Sequence, residues 1–262
     1  MCSRFLSLVL FFSLVSGAQA QLRVCADPDN LPFSNAKQQG FENKIAEVIA
    51  RDLGQKLEYK WQRMGRGFVR NILNKKQCDV LLGIPAGFKP VLTTIPYYTS
   101  TYVFVNPAQS ATVNSFDDGR LKQMKIGVQV VSEDYAPPAI ALGRRGLVAN
   151  IVGFDNTGQD AFQVMDAVAS KKVGVAVVWG PTAGFYSKLH PKQVKLTPTP
   201  TRDGPGLPLT FAISMGVRKQ DAELRDRLNA VLQKRRAEIE RILKSYNVPL
   251  LVEAAGEARS SD

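Results

Sequence analysis

Residues Asp27-Pro28-Asp29-Asn30-Leu31-Pro32 set two carboxylates, a carboxamide and two prolines within six positions. Such side chains either meet a ligand or partner, or bond their own backbone and cap a turn. The prolines stiffen the loop in both cases, and the sequence leaves both readings open. Phe33 follows directly and joins Asp27, Asp29 and Asn30 as a contact candidate. Arg63, Arg66 and Arg70 form a second polar group. Arg66 and Arg70 are four apart, so a helix would carry both on one face. They could grip a carboxylate or an acidic surface, or lie solvated and pair with the opening aspartates. His190, the only histidine, falls in a surface turn. No His, Cys, Asp and Glu set has metal-ligand spacing, and no glycine loop suits a phosphate. The chemistry is that of binding, with no catalytic residue, metal or cofactor expected.

Residues 1–20 read as a secretory signal peptide: Arg4, the apolar run Phe5–Val15, then an Ala-x-Ala ending at Ala20. The run is shorter than the roughly 20 residues a membrane span needs, and no later segment is apolar enough to cross. Cleavage removes Cys2 and leaves Cys25 and Cys78. In an oxidising compartment that pair favours a disulfide, and the absence of Cys-x-x-Cys spacing argues against a redox couple. The net charge of +11 suits an acidic protein, a membrane surface or an anionic solute, or is simply a solvated basic surface. Nucleic acid is not an expected partner, because no recognition motif is present.

These residues need elements to hold them. Residues 22–26 alternate as a strand, and Phe41, Ile45, Ile49 and Leu53 mark one face of a helix stopped by Gly54. Strand 56–61, a short helix over 66–74 and the near-continuous apolar strand 78–85 follow. This β-α-β-α-β order predicts a parallel sheet with helices on its faces. The first and third strands are neighbours there, which can bring Cys25 and Cys78 within bridging distance. Residues 97–105 read as a long strand. A second α/β block then holds strands 125–131, 173–179 and 194–199, and helices 133–145, 158–172 and 182–189. Strand 209–217 and a long charged helix over 221–246 complete the chain. One α/β unit is thus interrupted by another. Residues 21–103 and 207–250 make the first lobe, 104–206 the second, and 251–262 a polar tail. The crossings at 97–105 and 205–212 make a hinge, and the crevice between the lobes is a natural binding site.

The order of "GFENKIAEVIARDLG", "CDVLLGIP", "IPYYTSTYVFV", "KIGVQV", "VGVAVVWGPTAGFY" and "LPLTFAISMGVRKQD" resembles the periplasmic solute-binding proteins of type II, amino-acid-binding fold. "LRVCADPDNLPFSN", "QRMGRGFVRNIL" and "YNVPLL" narrow it. They are similar to the quinoprotein dehydrogenase-associated subfamily, the J proteins (MxaJ and XoxJ type) of methanol-oxidation systems. The resemblance implies a two-lobed α/β fold, a periplasmic location, and Phe88, Tyr97, Tyr98, Tyr135 and Trp179 near the hinge and cleft. It also implies a role beside a PQQ-dependent alcohol dehydrogenase, with quinone and metal belonging to that partner. Amino-acid-binding relatives hold their ligand with an arginine before the Pro-Tyr hinge and an aspartate after the buried strand of lobe two. Here those segments read Ala-Gly-Phe88-Lys89 and Val-Val-Trp179-Gly180-Pro181, with neither residue. The alternative is the receptor of an importer for a small solute that is not an amino acid.

Overall fold

The computed structural model describes residues 20–65, 67–131, 134–155 and 162–251. In chain order the first elements are β1 (Gln21–Ala26), β2 (Asp29–Asn30), β3 (Ser34–Asn35), α1 (Phe41–Leu53), β4 (Lys56–Trp61), β5 (Val80–Pro85), β6 (Leu92–Thr93) and β7 (Tyr98–Pro107). Then come β8 (Ile126–Val131), β9 (Asp134–Tyr135), α2 (Pro137–Gly143), β10 (Ile151–Asp155), α3 (Gln163–Ala169), β11 (Val175–Trp179), α4 (Gly180–Leu189) and β12 (Val194–Pro198). The chain closes with β13 (Thr210–Val217), α5 (Ala222–Lys234) and α6 (Arg236–Ser245).

Hydrogen bonds link the main strands in the order β10-β8-β11-β7-β13-β5-β1-β4. Strands β4, β1 and β5 run parallel, as do β10, β8 and β11. The long strand β7 belongs to both sheets. Its first residues pair antiparallel with β13, from Tyr98 against Ile213 to Thr101 against Thr210. From Tyr102 onward it pairs with β11 on one side and β12 on the other. The expected two-lobed α/β architecture is present, with β7 as the outgoing crossing.

In the first lobe, α1 turns Phe41, Ile45 and Ile49 onto the sheet, all at most 1% exposed. They meet Leu22, Val24, Val80, Met215, Leu228 and Leu243. Burying each such side chain contributes about 1.5–3 kcal/mol. Asn43 receives the Gly40 N–H at 3.0 Å at the start of α1, and Gly54 ends the helix at φ 64°. The opposite face of the sheet carries Cys25, Phe68, Leu73, Cys78 and Leu81. There Cys25 and Cys78 form the expected disulfide, with Cα atoms 5.4 Å apart. The second lobe has its own two apolar layers, one around Phe104, Ile126 and Leu142 and one around Val105, Met165 and Tyr186.

Three expectations need correction. The helix over 66–74 is a π-helical turn, Val69–Leu73. The helix over 133–145 shortens to α2, because Asp134 and Tyr135 pair with β8. The long helix over 221–246 breaks at Arg235, whose Nε donates to Asp52 at 2.6 Å. The break lets both α5 and α6 pack against α1. Within the expected helix over 158–172, residues 162–172 include α3, and the start lies outside the described residues.

Candidate functional site

The opening loop leaves the carboxyl end of β1, the edge at which open α/β sheets bind ligands. The Asp27 carboxylate turns inward and is only 4% exposed. Its Oδ1 accepts the Asp29 N–H at 3.0 Å and its Oδ2 the Met64 N–H at 2.9 Å. Its carbonyl accepts from Ser34 Oγ at 2.8 Å. Asp27 therefore caps its own turn and ties the loop to the segment after β4. Asp29 and Asn30 sit on the hairpin β2–β3 and keep part of their surface in solvent. Phe33 packs its ring on Phe41 at 5.3 Å. The fit is tight, since a Cβ on Gly40 would lie 2.0 Å from the Phe33 carbonyl oxygen.

Beside this loop stands a carboxyl group that pattern reading passed over. Glu42 is the second residue of α1, and a Cβ on Gly83 of β5 would lie 2.4 Å from its Oε1. Gly83 has φ 73°, and its N–H is accepted by the Tyr97 hydroxyl at 3.0 Å. Tyr97 and Tyr98 meet edge to face at 5.0 Å, and Tyr98 meets Phe41 the same way at 6.0 Å. Burial, with help from the nearby Asp27 charge, pushes the Glu42 carboxyl up to about 8. Burial also holds both tyrosine hydroxyls well above their ordinary range. Among the described residues, no side chain donates a hydrogen bond to the Glu42 carboxyl. Glu42 thus offers a neutral hydrogen-bonding group at near-neutral pH, walled by two tyrosines. The signal in the sequence was positional: an acid directly after the first buried aromatic of a helix that starts at the binding edge.

The second lobe answers with an aromatic cluster. Trp179 ends β11, and its N–H donates to Gln129 at 2.9 Å. Its ring meets Tyr102 at 5.2 Å and Phe211 at 6.0 Å, both near edge to face. Tyr102 lies on β7 and Phe211 on β13, so the cluster sits where the strands pass between lobes. Trp179 also packs against the apolar core of the first lobe.

The remaining candidates scatter. Phe88 lies in the loop after β5 and is 40% exposed. Arg70 is exposed on the π-helical turn, its Nε 3.5 Å from the Asn71 side chain. Arg66 and the side chain of Tyr135 lie outside the described residues. The described π-helical turn covers Val69–Leu73 and so includes Arg70, while the pairing of Arg70 with Arg66 lies outside the described residues. Asp27, Phe33 and Tyr98 border Phe41 and Glu42, Asp29 and Asn30 stay on the β2–β3 hairpin, and Trp179 lies beside the strands that pass between lobes. His190 is exposed and rests on the Tyr186 ring at 4.5 Å. Among the described residues no three His, Cys, Asp or Glu side chains converge as a metal site, and no helix is long and apolar enough to cross a membrane. A charged recess at the amino end of β1 is lined by Arg23, Asp79, Arg218 and Asp221. Its groups already satisfy one another: Asp79 receives Arg23 at 2.7 Å and Arg218 at 3.0 Å.

Residues 22–248 match the bacterial extracellular solute-binding proteins, family 3. Protein MoxJ of Methylorubrum extorquens is 34% identical over 250 residues, covering 88% of this chain and 81% of the relative. The crystal structure of the periplasmic binding protein XoxJ from Methylobacterium extorquens AM1 superposes with a TM-score of 0.74 at 39% identity, over 88% of this chain and all of that one. MxaJ from Methlophaga aminisulfidivorans MPT superposes with a TM-score of 0.78 at 29% identity, again over 88% of this chain and 100% of its own.

Proposed function

The chain belongs to family 3 of the bacterial extracellular solute-binding proteins and groups there with the MoxJ, MxaJ and XoxJ proteins, and from that premise we propose that it is a periplasmic accessory protein of a PQQ-dependent, methanol-type alcohol dehydrogenase. It acts by binding or activating the dehydrogenase and carries out no catalysis of its own. Quinone and metal reside in the partner.

One observation carries this reading beyond family membership. The two groups that would hold an amino acid are absent: Phe88 and Lys89 stand before the hinge, and Trp179-Gly180-Pro181 at the end of β11. A lysine does not replace the bidentate arginine grip on a carboxylate. Partly exposed aromatic rings beside a few polar groups are instead what protein contacts use as anchors. The net charge of +11 speeds encounter with an acidic partner.

The test is a pull-down from periplasm with the tagged chain starting at Gln21. Recovery of a quinoprotein dehydrogenase, together with loss of its activity in a clean deletion strain, supports the proposal. Full dehydrogenase activity in that strain, with no second gene copy present, overturns it. Genetic linkage to a permease and an ATPase would then favour an importer receptor for a small solute that is not an amino acid.

A further inference from the structure

After α6, residues 246–251 pass across the boundary between lobes. The Tyr246 ring meets Phe41 of α1 edge to face at 5.9 Å and stacks on Phe185 of α4 at 5.6 Å. Its hydroxyl donates to the Gln39 carbonyl at 2.5 Å. One aromatic ring thus bridges a helix of each lobe. Asn247 then turns the chain at φ 56°. Its carboxamide donates to the Gly184 carbonyl and to Ser187 Oγ, both at 3.1 Å and both on α4. Lys188 of α4 reaches back to the Ser245 carbonyl. Further on, the Pro249 carbonyl accepts from Ser100 Oγ at 2.6 Å, and the Leu251 N–H donates to the Thr99 carbonyl at 3.0 Å. Both of those partners lie on β7.

Two glycines make room for this path. A Cβ on Gly184 would lie 2.0 Å from the Asn247 carbonyl oxygen. A Cβ on Gly180 would lie 2.5 Å from the Thr101 carbonyl oxygen and 3.2 Å from Pro249. They stand one helical turn apart on α4, so they form a single groove for the segment and the strand beneath it.

We propose that residues 246–251 are a non-covalent tie between the lobes, additional to the two strand crossings, and that they set the opening angle of the cleft. Two crossing strands alone leave a hinge free to bend. A segment bonded at once to α1, α4 and β7 lets the lobes rotate only after it releases α4. This inference concerns the hinge and stands whatever the cleft binds.

The test is a distance measurement between spin labels on Lys75→Cys and Lys172→Cys, exposed positions on the first and second lobes. The native Cys25 and Cys78 are paired and do not take label. The chain with an intact tie should give one narrow distance distribution. Asn247→Ala, Gly184→Ala and a chain ending at Val248 should each broaden it at least about twofold, as a released hinge samples more angles. The Asn247→Ala and shortened chains place no atom against α4, and Asn247→Gly, which suits the left-handed backbone of residue 247, controls for strain at the alanine, so they decide the matter even where Gly184→Ala does not fold. Unchanged width in those two, with circular dichroism and cooperative unfolding retained, overturns the proposal. A broad distribution with the tie intact overturns it equally.

Discussion

Replacing Glu42 by Gln should stabilise the protein, by an amount that grows with pH. In an unfolded chain a glutamate titrates near ~4.3. In the fold, burial and the Asp27 charge push Glu42 up to about 8. Between those two values the folded state holds a proton that the unfolded state has lost. Stability from this group is therefore fully present below about pH 4 and declines as pH rises, by about 1.4 kcal/mol per unit at the steepest. Above about pH 8 both states are ionised and the decline stops. The whole gap corresponds to about 5 kcal/mol. Glu42 keeps part of its surface in solvent, which screens the charge, so about 2–3 kcal/mol between about pH 5 and pH 8 is the expected size. Gln keeps the shape of the neutral acid and does not titrate. Urea unfolding of both proteins across this range isolates the effect. Carboxylates held low by arginines, such as Asp79, contribute equally to both and cancel. A stability difference that stays flat from about pH 5 to pH 8 refutes the reasoning.

Four further outcomes are expected. Changing both Cys25 and Cys78 to Ala opens a loop of sequence separation 53, and chemical unfolding should show a loss of roughly 4 kcal/mol; two free thiols in exported native protein would show that no bridge forms. Asp27→Ala strips the acceptor from two backbone N–H groups and should cost about 2–4 kcal/mol in thermal or urea unfolding, whereas Asp29→Ala should stay within about 0.5 kcal/mol; equal effects would contradict the capped-turn geometry. Trp179→Ala removes ring contacts to Tyr102 and Phe211 and should lower stability by about 2 kcal/mol while reducing dehydrogenase activity in cells at unchanged transcript level; unchanged activity in a variant of confirmed abundance counts against the cleft as the binding surface. Calorimetric titration with the standard amino acids should give no micromolar binding, because the charged termini would be left unpaired in a closed cleft, and a single saturable isotherm is enough to show otherwise.

The long periodic segments were legible without coordinates. The stripe Phe41, Ile45, Ile49 and the apolar run into β5 carried the layers, the parallel order and the neighbourhood of Cys25 and Cys78. What escaped depends on tertiary contacts. The break at Arg235 answers to Asp52 on α1, nearly two hundred residues away, and leaves no mark in the apolar spacing. Strand β10 went unread beside its weak alternation, yet it pairs along its length with β8. At the site, the sequence leaves the conspicuous aspartates open between ligand contact and self-capping. Asp27 is spent on its own turn, and the group with the altered acidity is Glu42, marked only by its place at a helix start.

Strand β13 sits between β5 and β7 in the sheet, yet it is made after all of the second lobe. A chain emerging in order can pair β1, β4 and β5 early, and then complete the segment from β8 to β12. Throughout that interval one edge of β5 and one edge of β7 stand open, and open edges invite pairing with other chains. Assembly of the first lobe must wait for nearly the whole polypeptide to arrive, and the slot it leaves is filled from within by a strand flanked by α5 and α6. The vulnerable stage of folding is therefore the interval before Thr210–Val217 is in place. A truncation before Thr210 should yield a chain that folds half its layers and aggregates through the vacant slot.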